Sequence, residues 1–154
     1  MPSRRDQIIM SKEEVHEFFQ ASKTMALATI SSTGEPHLVA MWFCLIDDYV
    51  TFWTFAKSQK AVNLRRDPRA TILIESGEEY ANLKGVEITG ECEILDDAET
   101  VLSIGRTLFS RYMGQAQSEE VLNTFLATAP KRVGFRLIPK TVVSWDHSKL
   151  GGIY

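Results

Sequence analysis

The sequence predicts a mainly β fold, an antiparallel barrel with accessory helices. Along its 154 residues, six to seven segments have the composition or the alternation of β-strands. Short turn sequences join most of these segments, and helical patterns are inserted at only a few points. This order favours an antiparallel barrel over a sheet built from βαβ units. Because the length is that of one domain, residues 1–154 are expected to form a single unit.

The first third of the chain predicts a helix followed by a hairpin. Ser11 and Glu14 have the spacing of a capping box, and apolar side chains follow them at helical spacing. The segments MALATIS and HLVAMWFCLI are separated by STGEP, a turn sequence typical of a β-hairpin. Asp47-Asp48 marks the next turn, and YVTFWTF is the third predicted strand.

The middle of the chain predicts a short helix between strands. Ser58 suits the N-cap, and Asp67-Pro68 ends the helix because proline disfavours a helical residue before it. ATILIE follows as a fourth strand. GVEITGECEIL alternates strictly, which is typical of a half-buried strand with one wet face. The apolar face of that strand is predicted to carry Val86, Ile88, Cys92 and Ile94.

Two helices and two strands are predicted for the last third. Asp96-Asp97 suits a helix N-terminus because carboxylates are favourable there, and apolar residues follow at helical spacing as far as Tyr112. A second helix is predicted over roughly 118–128. RVGFRLIP and TVVSWD are interpreted as two separate strands, and HSKLGGIY is the tail.

Composition excludes several classes of function. The formal net charge is -3 and the pI is about 5.6, unlike the basic domains that bind nucleic acid. No apolar run is long enough to span a bilayer, and the N-terminus lacks a secretory signal, so we expect a cytoplasmic protein without membrane association. Cys44 and Cys92 stand alone, without the spacing of a metal site, so no metal is expected.

One short segment departs from the acidic balance of the chain. TFAKSQKAVNLRRDPRAT, residues 54–71, carries five bases against one acid. A solvated helix face is one interpretation. The other is an anion site, because helix N-termini bind anions and Lys60, in the first turn, is misplaced without one. With Ser58 at the N-cap and Asn63 on the same face, the second interpretation predicts a phosphate clamp. No Gly-rich nucleotide loop is present.

Four stretches together resemble the pyridoxamine-phosphate-oxidase-like split β-barrel superfamily. The most specific is KAVNLRRDPRATILIE at 60–75, which contains the block K-x-x-N-L-R-R-D-P-R. GEPHLVAMWF at 34–43, GVEITGECEIL at 85–95 and WDHSKLGGIY at 145–154 support it. The resemblance runs from about Met25 to the C-terminus. It is strongest to the flavin/deazaflavin oxidoreductase branch, which includes enzymes that use coenzyme F420.

The resemblance implies an FMN-binding type of split barrel that acts as an oxidoreductase. Members are homodimers that hold an isoalloxazine or deazaflavin ring in a groove at the dimer interface. The lysine of the K-x-x-N block, here Lys60, holds the cofactor phosphate, and hydrogen-bonding groups assist it. The resemblance also implies ring contacts along the strand that follows the GEP turn. The cofactor-binding residues expected on this basis are His37, Val39, Met41, Trp42, Thr54, Ser58, Lys60, Asn63 and Arg65.

The last part of the chain departs from the family. It lacks an arginine and histidine set suited to the phosphate of a pyridoxal vitamer, so oxidation of pyridoxine phosphate is not expected. Trp145 and His147 reach a partner's active site in one interpretation. In the other they are a strand end and a surface residue.

The expected cofactor is coenzyme F420 or FMN, which would transfer hydride to a small organic substrate. The carboxylated tail of F420 is complementary to the five bases, which favours F420. One alternative is an FMN-binding pyridoxamine-phosphate-oxidase-like protein, and another is a non-catalytic flavin-binding or storage protein. A haem-binding split barrel is a further alternative, although none of the three histidines has a distinctive setting.

Overall fold

The computed structural model describes Met1 and residues 3–152, and in this part of the chain seven strands form one antiparallel sheet. The strands are β1 (Met25–Ile30), β2 (Pro36–Met41), β3 (Cys44–Ile46), β4 (Tyr49–Phe55), β5 (Arg69–Ser76), β6 (Lys84–Leu95) and β7 (Arg132–Asp146). Their order across the sheet is β2-β1-β5-β6-β7-β4-β3. Only Trp42 and Phe43 link the two edge strands, so the sheet has to curl until its edges meet. The predicted antiparallel split barrel is confirmed.

The described residues form five α-helices around this sheet. They are α1 (Arg4–Ile8), α2 (Lys12–Ala21), α3 (Gln59–Arg66), α4 (Ala98–Met113) and α5 (Glu119–Leu126). The predicted capping box of α2 is present, with Ser11 Oγ accepting from Glu14 N at 3.1 Å. Asp97 caps α4 in the same way. Local signals therefore define these helix starts. None of the described helices is both long and apolar enough to cross a membrane.

Asp47 and Asp48 form the predicted turn between β3 and β4. Both have positive φ angles, 52° and 64°, and Ile46 pairs with Tyr49 on either side of them. Two residues in the left-handed region are characteristic of a type I′ hairpin turn, and aspartate tolerates this conformation better than most residues. The turn therefore directs β4 back along β3.

Two strand predictions are wrong in their boundaries. HLVAMWFCLI does not form one strand, because the chain bends at Trp42-Phe43 to pass from one sheet edge to the other. RVGFRLIP and TVVSWD are not two strands but the single strand β7. Its register against β6 shifts between Thr89 and Gly90, opposite Pro139. A bulge tolerates a proline, which donates no ladder hydrogen bond, so the strand continues through it.

The core has two parts, one on each side of β4. The first fills the barrel beneath α2 and includes the fully buried side chains Met25, Leu27, Phe52, Ile72 and Phe135. The second lies between α4 and β4 and includes Trp53, Ile104 and Leu108. Gly105 allows α4 to approach closely, because a Cβ there would lie 2.7 Å from the Trp53 ring. Ile94 does not join its predicted apolar face and is 39% exposed.

Candidate functional site

The N-terminus of α3 lies directly after β4, where the basic segment begins. Ser58 caps the helix, with its Oγ accepting from Ala61 N at 3.4 Å, so the predicted N-cap and helix are confirmed. Thr54, at the end of β4, is 3% exposed and places its Oγ1 3.2 Å from Ser58 Oγ. Two hydroxyl groups and the free amides of the first helical turn therefore lie together.

Lys60 is half-buried in the first turn of α3. Burial and then the positive charge of Arg132 lower the pKa of the Lys60 ammonium. None of the salt bridges in the described part of the chain includes Lys60. A half-buried ammonium without a carboxylate, beside a second cation and a helix N-terminus, is electrostatically unfavourable unless an anion binds there.

Most other bases of the segment have protein partners. Arg69 forms an ion pair with Asp67 at 2.7 Å, and the hydrogen bonds from Arg69 lower the pKa of Asp67 to about 2. The Arg65 guanidinium donates to the Ala56 carbonyl at 2.7 Å. Lys57 is exposed. The charge of the segment is therefore partly compensated, and Lys60 is its half-buried cation without an ion-pair partner among the residues that the structure describes.

Asn63 is fully buried, and its side chain connects α3 to the sheet. Its Nδ2 donates to Thr29 Oγ1 at 3.0 Å, and its Oδ1 accepts from Gln59 Nε2 at 2.8 Å and from Arg66 Nη2 at 3.2 Å. These bonds use both ends of the amide to position the helix. A contact between Asn63 and a cofactor stays a prediction, as does one with Arg65.

The residues expected beside a ring lie along the edge strand β2 or, for Trp42, directly after its end. Val39 and Met41 pack against the core. His37 is half-buried, and its Nδ1 is buried without a hydrogen-bond partner among the described residues. Trp42 is 46% exposed and stacks on Tyr112, with ring centroids 4.2 Å apart and planes 5° apart. Of these side chains, Trp42 therefore presents the largest accessible aromatic surface.

Sheet pairing relates β2 to the α3 end of the barrel. His37 lies opposite Thr29 in the β1–β2 register, and Thr29 is the residue that Asn63 contacts. Trp42 lies five residues further along, roughly 16 Å away in an extended chain. The structure thus brings His37 near α3, whereas Met41 and Trp42 lie towards the other end of β2.

Trp145 and His147 contact residues of their own chain. A Cβ at Gly85 would lie 2.3 Å from the Trp145 ring, so the indole covers that glycine. His147 Nδ1 lies 2.9 Å from the Tyr80 carbonyl oxygen, and the two rings are 4.4 Å apart. A role for Trp145 or His147 at a partner's site stays a prediction.

Arg132, at the start of β7, belongs to the same region and was not expected from the sequence. It pairs with Phe55 across the β4–β7 ladder, and its guanidinium carbon lies 3.7 Å from the centroid of the Phe55 ring. Burial lowers the pKa of Arg132. Long-range strand pairing brings it to α3, so no local sequence signal could have identified it. In the described part of the chain, no cluster of His, Cys, Asp or Glu could hold a metal ion.

Residues 11–146 match the family model described as pyridoxamine 5'-phosphate oxidase. The chain belongs to the pyridoxamine 5'-phosphate oxidase family. Membership confirms the resemblance stated from the sequence motifs and assigns the protein to a flavin-related oxidoreductase family with a split-barrel fold. No curated protein sequence matches the chain.

Solved structures share this pyridoxamine 5'-phosphate oxidase-like fold. The conserved hypothetical protein Rv2991 of Mycobacterium tuberculosis is 42% identical, with a TM-score of 0.90 over 99% of this chain and 95% of that chain. An F420 reductase is 22% identical, with a TM-score of 0.66 over 82% and 94%. The heme storage protein HutZ of Vibrio cholerae is 20% identical, with a TM-score of 0.70 over 89% and 97%. The last two similarities show the fold alone.

Proposed function

We propose that the protein is an oxidoreductase that binds a flavin-type cofactor at a homodimer interface and transfers hydride to a small organic substrate. We favour coenzyme F420 over FMN. The observation that carries this proposal is Lys60, a half-buried cation at the capped N-terminus of α3 that has no carboxylate partner among the described residues. An anionic cofactor group would neutralise it.

The residues around α3 suit a phosphate ester. Lys60 supplies the charge, and the Ser58 and Thr54 hydroxyls, 3.2 Å apart, supply hydrogen bonds. The first amides of α3 point the same way, as at other helix N-termini that bind phosphate. Charge-assisted hydrogen bonds contribute about 1.5–3 kcal/mol each, so a single lysine can decide cofactor affinity.

The edge strand β2 suits the flat ring of the cofactor. An edge strand has one row of backbone N–H and C=O groups outside the ladder, and these groups can hydrogen-bond the polar edge of a flavin or deazaflavin. Val39 and Met41 would serve through their backbone, since their side chains pack against the core. Trp42 would border the ring. The bound cofactor supplies the hydride chemistry, and the protein orients it and excludes water.

Exposed apolar side chains support the homodimer. Large apolar residues with at least 44% exposure on or beside the sheet and α3 are Leu38, Trp42, Phe55, Val62 and Val142. A second copy of the chain would cover such residues. Light scattering of the cofactor-bound protein at micromolar concentration should give the mass of a dimer, and a monomer would contradict the interface.

The preference for F420 rests on positive charges in the segment that are not needed to bind the cofactor phosphate. Lys57 precedes α3, and Arg65, in the last turn of α3, reaches back to the Ala56 carbonyl. Both are exposed, and neither forms an ion pair in the described part of the chain. The carboxylated tail of F420 could meet both. Exposed charges attract less strongly at high salt, so this contribution should be salt-dependent.

The experiment is a pair of fluorescence titrations, with FMN and with F420, each at low and high salt. We expect F420 to bind more tightly and to lose more affinity than FMN as salt is added. Tighter binding of FMN would favour an FMN enzyme. Failure of both ligands to bind at micromolar concentration, together with a colourless purified protein, would reject the proposal.

A non-catalytic flavin-binding or storage protein is the second candidate. At the N-terminal end of α3 the lowered pKa values belong to Lys60 and Arg132, which are suited to binding an anion rather than to acid–base chemistry. Burial raises the pKa values of both thiols, Cys44 and Cys92, to about 12, so neither is activated as a nucleophile. Turnover of reduced cofactor in the presence of candidate acceptors distinguishes an enzyme from a storage protein.

A further inference from the structure

Arg132 and Lys60 approach each other because β7 begins beside the connection from β4 to α3. Arg132 pairs with Phe55, the last residue of β4. The next residue, Ala56, donates its N–H to the Lys131 carbonyl at 2.9 Å. The ladder thus continues just to the point where the chain turns into α3. A cation at the first position of β7 therefore lies close enough for its charge to act on Lys60, in the first turn of that helix.

The contacts of Arg132 hold its guanidinium group over an aromatic ring. The guanidinium carbon lies 3.7 Å from the Phe55 ring centroid and 4.9 Å from that of Trp53. Its Nε donates to Thr128 Oγ1 at 3.3 Å. The two terminal nitrogens have no hydrogen-bond partner in the described part of the chain, and they are not buried. A stacked guanidinium with free terminal N–H groups is preorganised to bind an oxyanion.

The charges around this pair favour an anion between them. Arg132 is part of no salt bridge in residues 3–152, and the same holds for Lys60. The positive charge of Arg132 lowers the pKa of Lys60, and no carboxylate of the described residues acts in the opposite direction on either group. Two half-buried cations that repel each other destabilise the ligand-free protein. An anion bound between them would offset this repulsion, and the relief would contribute to the free energy of anion binding.

We propose that Arg132 and Lys60 form a two-cation cradle for one phosphate group, with Arg132 as a phosphate-binding residue. Lys60 would act as a point charge at the helix end, and the Arg132 fork would contact two phosphate oxygens. Assigning this phosphate to the redox cofactor rests on the function proposed above. The cradle itself requires only a phosphate ester or free phosphate.

The main test compares Arg132→Gln with Lys131→Gln. Lys131 is exposed, adjacent in the chain and equal in charge, so it controls for a general loss of positive field. FMN and riboflavin, which lacks the phosphate, are titrated against each variant. We expect Arg132→Gln to weaken FMN binding about 10- to 100-fold and to change riboflavin binding less than twofold. Lys131→Gln should change the affinity for FMN less than twofold. Arg132→Lys should restore FMN binding only in part, since lysine lacks the fork.

A second measurement distinguishes the loss of anion binding from the loss of packing around Phe55. The melting temperature of each apo variant is measured without ligand and with inorganic phosphate or pyrophosphate. Phosphate should stabilise the wild type and should fail to stabilise both Arg132→Gln and Lys60→Gln. The Lys60 pKa, followed by NMR of the ammonium group, should rise in folded Arg132→Gln because a neighbouring cation is gone. An unchanged pKa would overturn the cradle.

The two proposals fail in different ways. If the wild type binds FMN or F420 and Arg132→Gln keeps the same preference for FMN over riboflavin, the cradle is wrong and the cofactor proposal stands. If the wild type binds neither cofactor but is stabilised by phosphate through both cations, the cofactor proposal is wrong and the cradle stands. If neither flavin nor phosphate binds, both are wrong.

Discussion

Cationic side chains at two places in the molecule differ in their partners. Near the C-terminal end of β7, Lys84 Nζ lies 3.2 Å from Asp146 Oδ2, and Lys149 Nζ lies 2.6 Å from Glu14 Oε2. At the opposite end of β7, Lys60 and Arg132 are half-buried without any carboxylate in the described residues. The start of β7 thus lies beside two cations that have no carboxylate partner in the described residues. Its end lies beside two lysines that form ion pairs.

The difference separates cations that hold the fold together from cations that await a ligand. Lys149 also donates to the Ile9 carbonyl at 2.9 Å, so it ties the 3-10 turn at His147–Leu150 to the N-terminal helices. Removing a partner from such a pair should cost stability. Removing the charge of Lys60 or Arg132 should instead lower the affinity for the anionic ligand. It should cause no electrostatic loss of stability in the ligand-free protein. Stability and affinity therefore report on different ends of β7.

The largest expected effect is the loss of cofactor binding in Lys60→Ala. Removing the charge at the α3 N-terminus should weaken binding of the cofactor by about 10- to 150-fold, since a charge-assisted hydrogen bond contributes about 1.5–3 kcal/mol. Titration of the wild type and the variant with the same cofactor measures this. Equal dissociation constants for the two proteins would instead support the interpretation of the basic segment as a solvated helix face. The apo variant should keep the wild-type circular dichroism spectrum.

Asp146→Asn tests the compensated end. It leaves Lys84 without its carboxylate and weakens the hydrogen bonds from Ser148, so we expect a loss of about 1–3 kcal/mol in the free energy of unfolding. Denaturant titration measures the loss, and cofactor affinity should not change. A comparable loss of affinity would blur the distinction between the two ends.

The pH dependence of stability is a second test of Asp146 at the compensated end of β7. Burial raises the pKa of this carboxyl, but hydrogen bonds from Ser148 and Lys84 outweigh it, so the pKa is lowered from 3.8. A lowered pKa stabilises the fold above the unfolded-state value, and this stability is lost as the pH falls through the folded-state value. Unfolding between about pH 5 and pH 2 should therefore be less pH-dependent in Asp146→Asn than in the wild type.

A smaller effect is expected for the stability of the apo protein with Lys60→Met. The lowered pKa of Lys60 means that its charged form is disfavoured in the fold, and this penalty is relieved as the pH rises through that pKa. Methionine keeps most of the side-chain volume without the charge, so the apo melting temperature at pH 7 should rise by about 1–3 °C. A fall in melting temperature would show that the ammonium has an unrecognised partner.

The smallest effect is expected for Lys57→Ala. Lys57 belongs to the same basic segment but is exposed and outside every described salt bridge. FMN affinity should change less than twofold, because exposed charges interact weakly through water. F420 affinity should fall slightly more at low salt. A tenfold loss for FMN would mean that the whole segment, rather than Lys60, binds the phosphate.

Local chemistry explains what could be predicted from the sequence. Ser58 at a helix N-cap, Ser11 in its capping box and the Asp47-Asp48 turn each depend on residues within a few positions, and each is confirmed. Short-range patterns also gave the barrel class, because turn spacing distinguishes hairpins from crossover units. The basic segment was identified for the same reason, as a local excess of charge.

Long-range contacts explain the rest. Asn63 lies on the helix face of Lys60, but only the packing of α3 against β1 shows that Thr29 takes its amide. Arg132 looked like the unremarkable first residue of a strand, and only the β4–β7 pairing brings it to Lys60. The continuity of β7 through Pro139 depends on a bulge against β6, which spacing along one segment cannot reveal.

The link formed by Trp42 and Phe43 has a consequence for how the protein folds. It joins strands that lie at opposite edges of the sheet, so the β1–β2 and β3–β4 hairpins can form early but cannot be placed until β5, β6 and β7 assemble between them. Closing such non-local pairings is slow, typically milliseconds to seconds. During that interval both hairpins expose unpaired backbone, which favours association with other chains. We therefore expect the yield of refolding to fall with protein concentration.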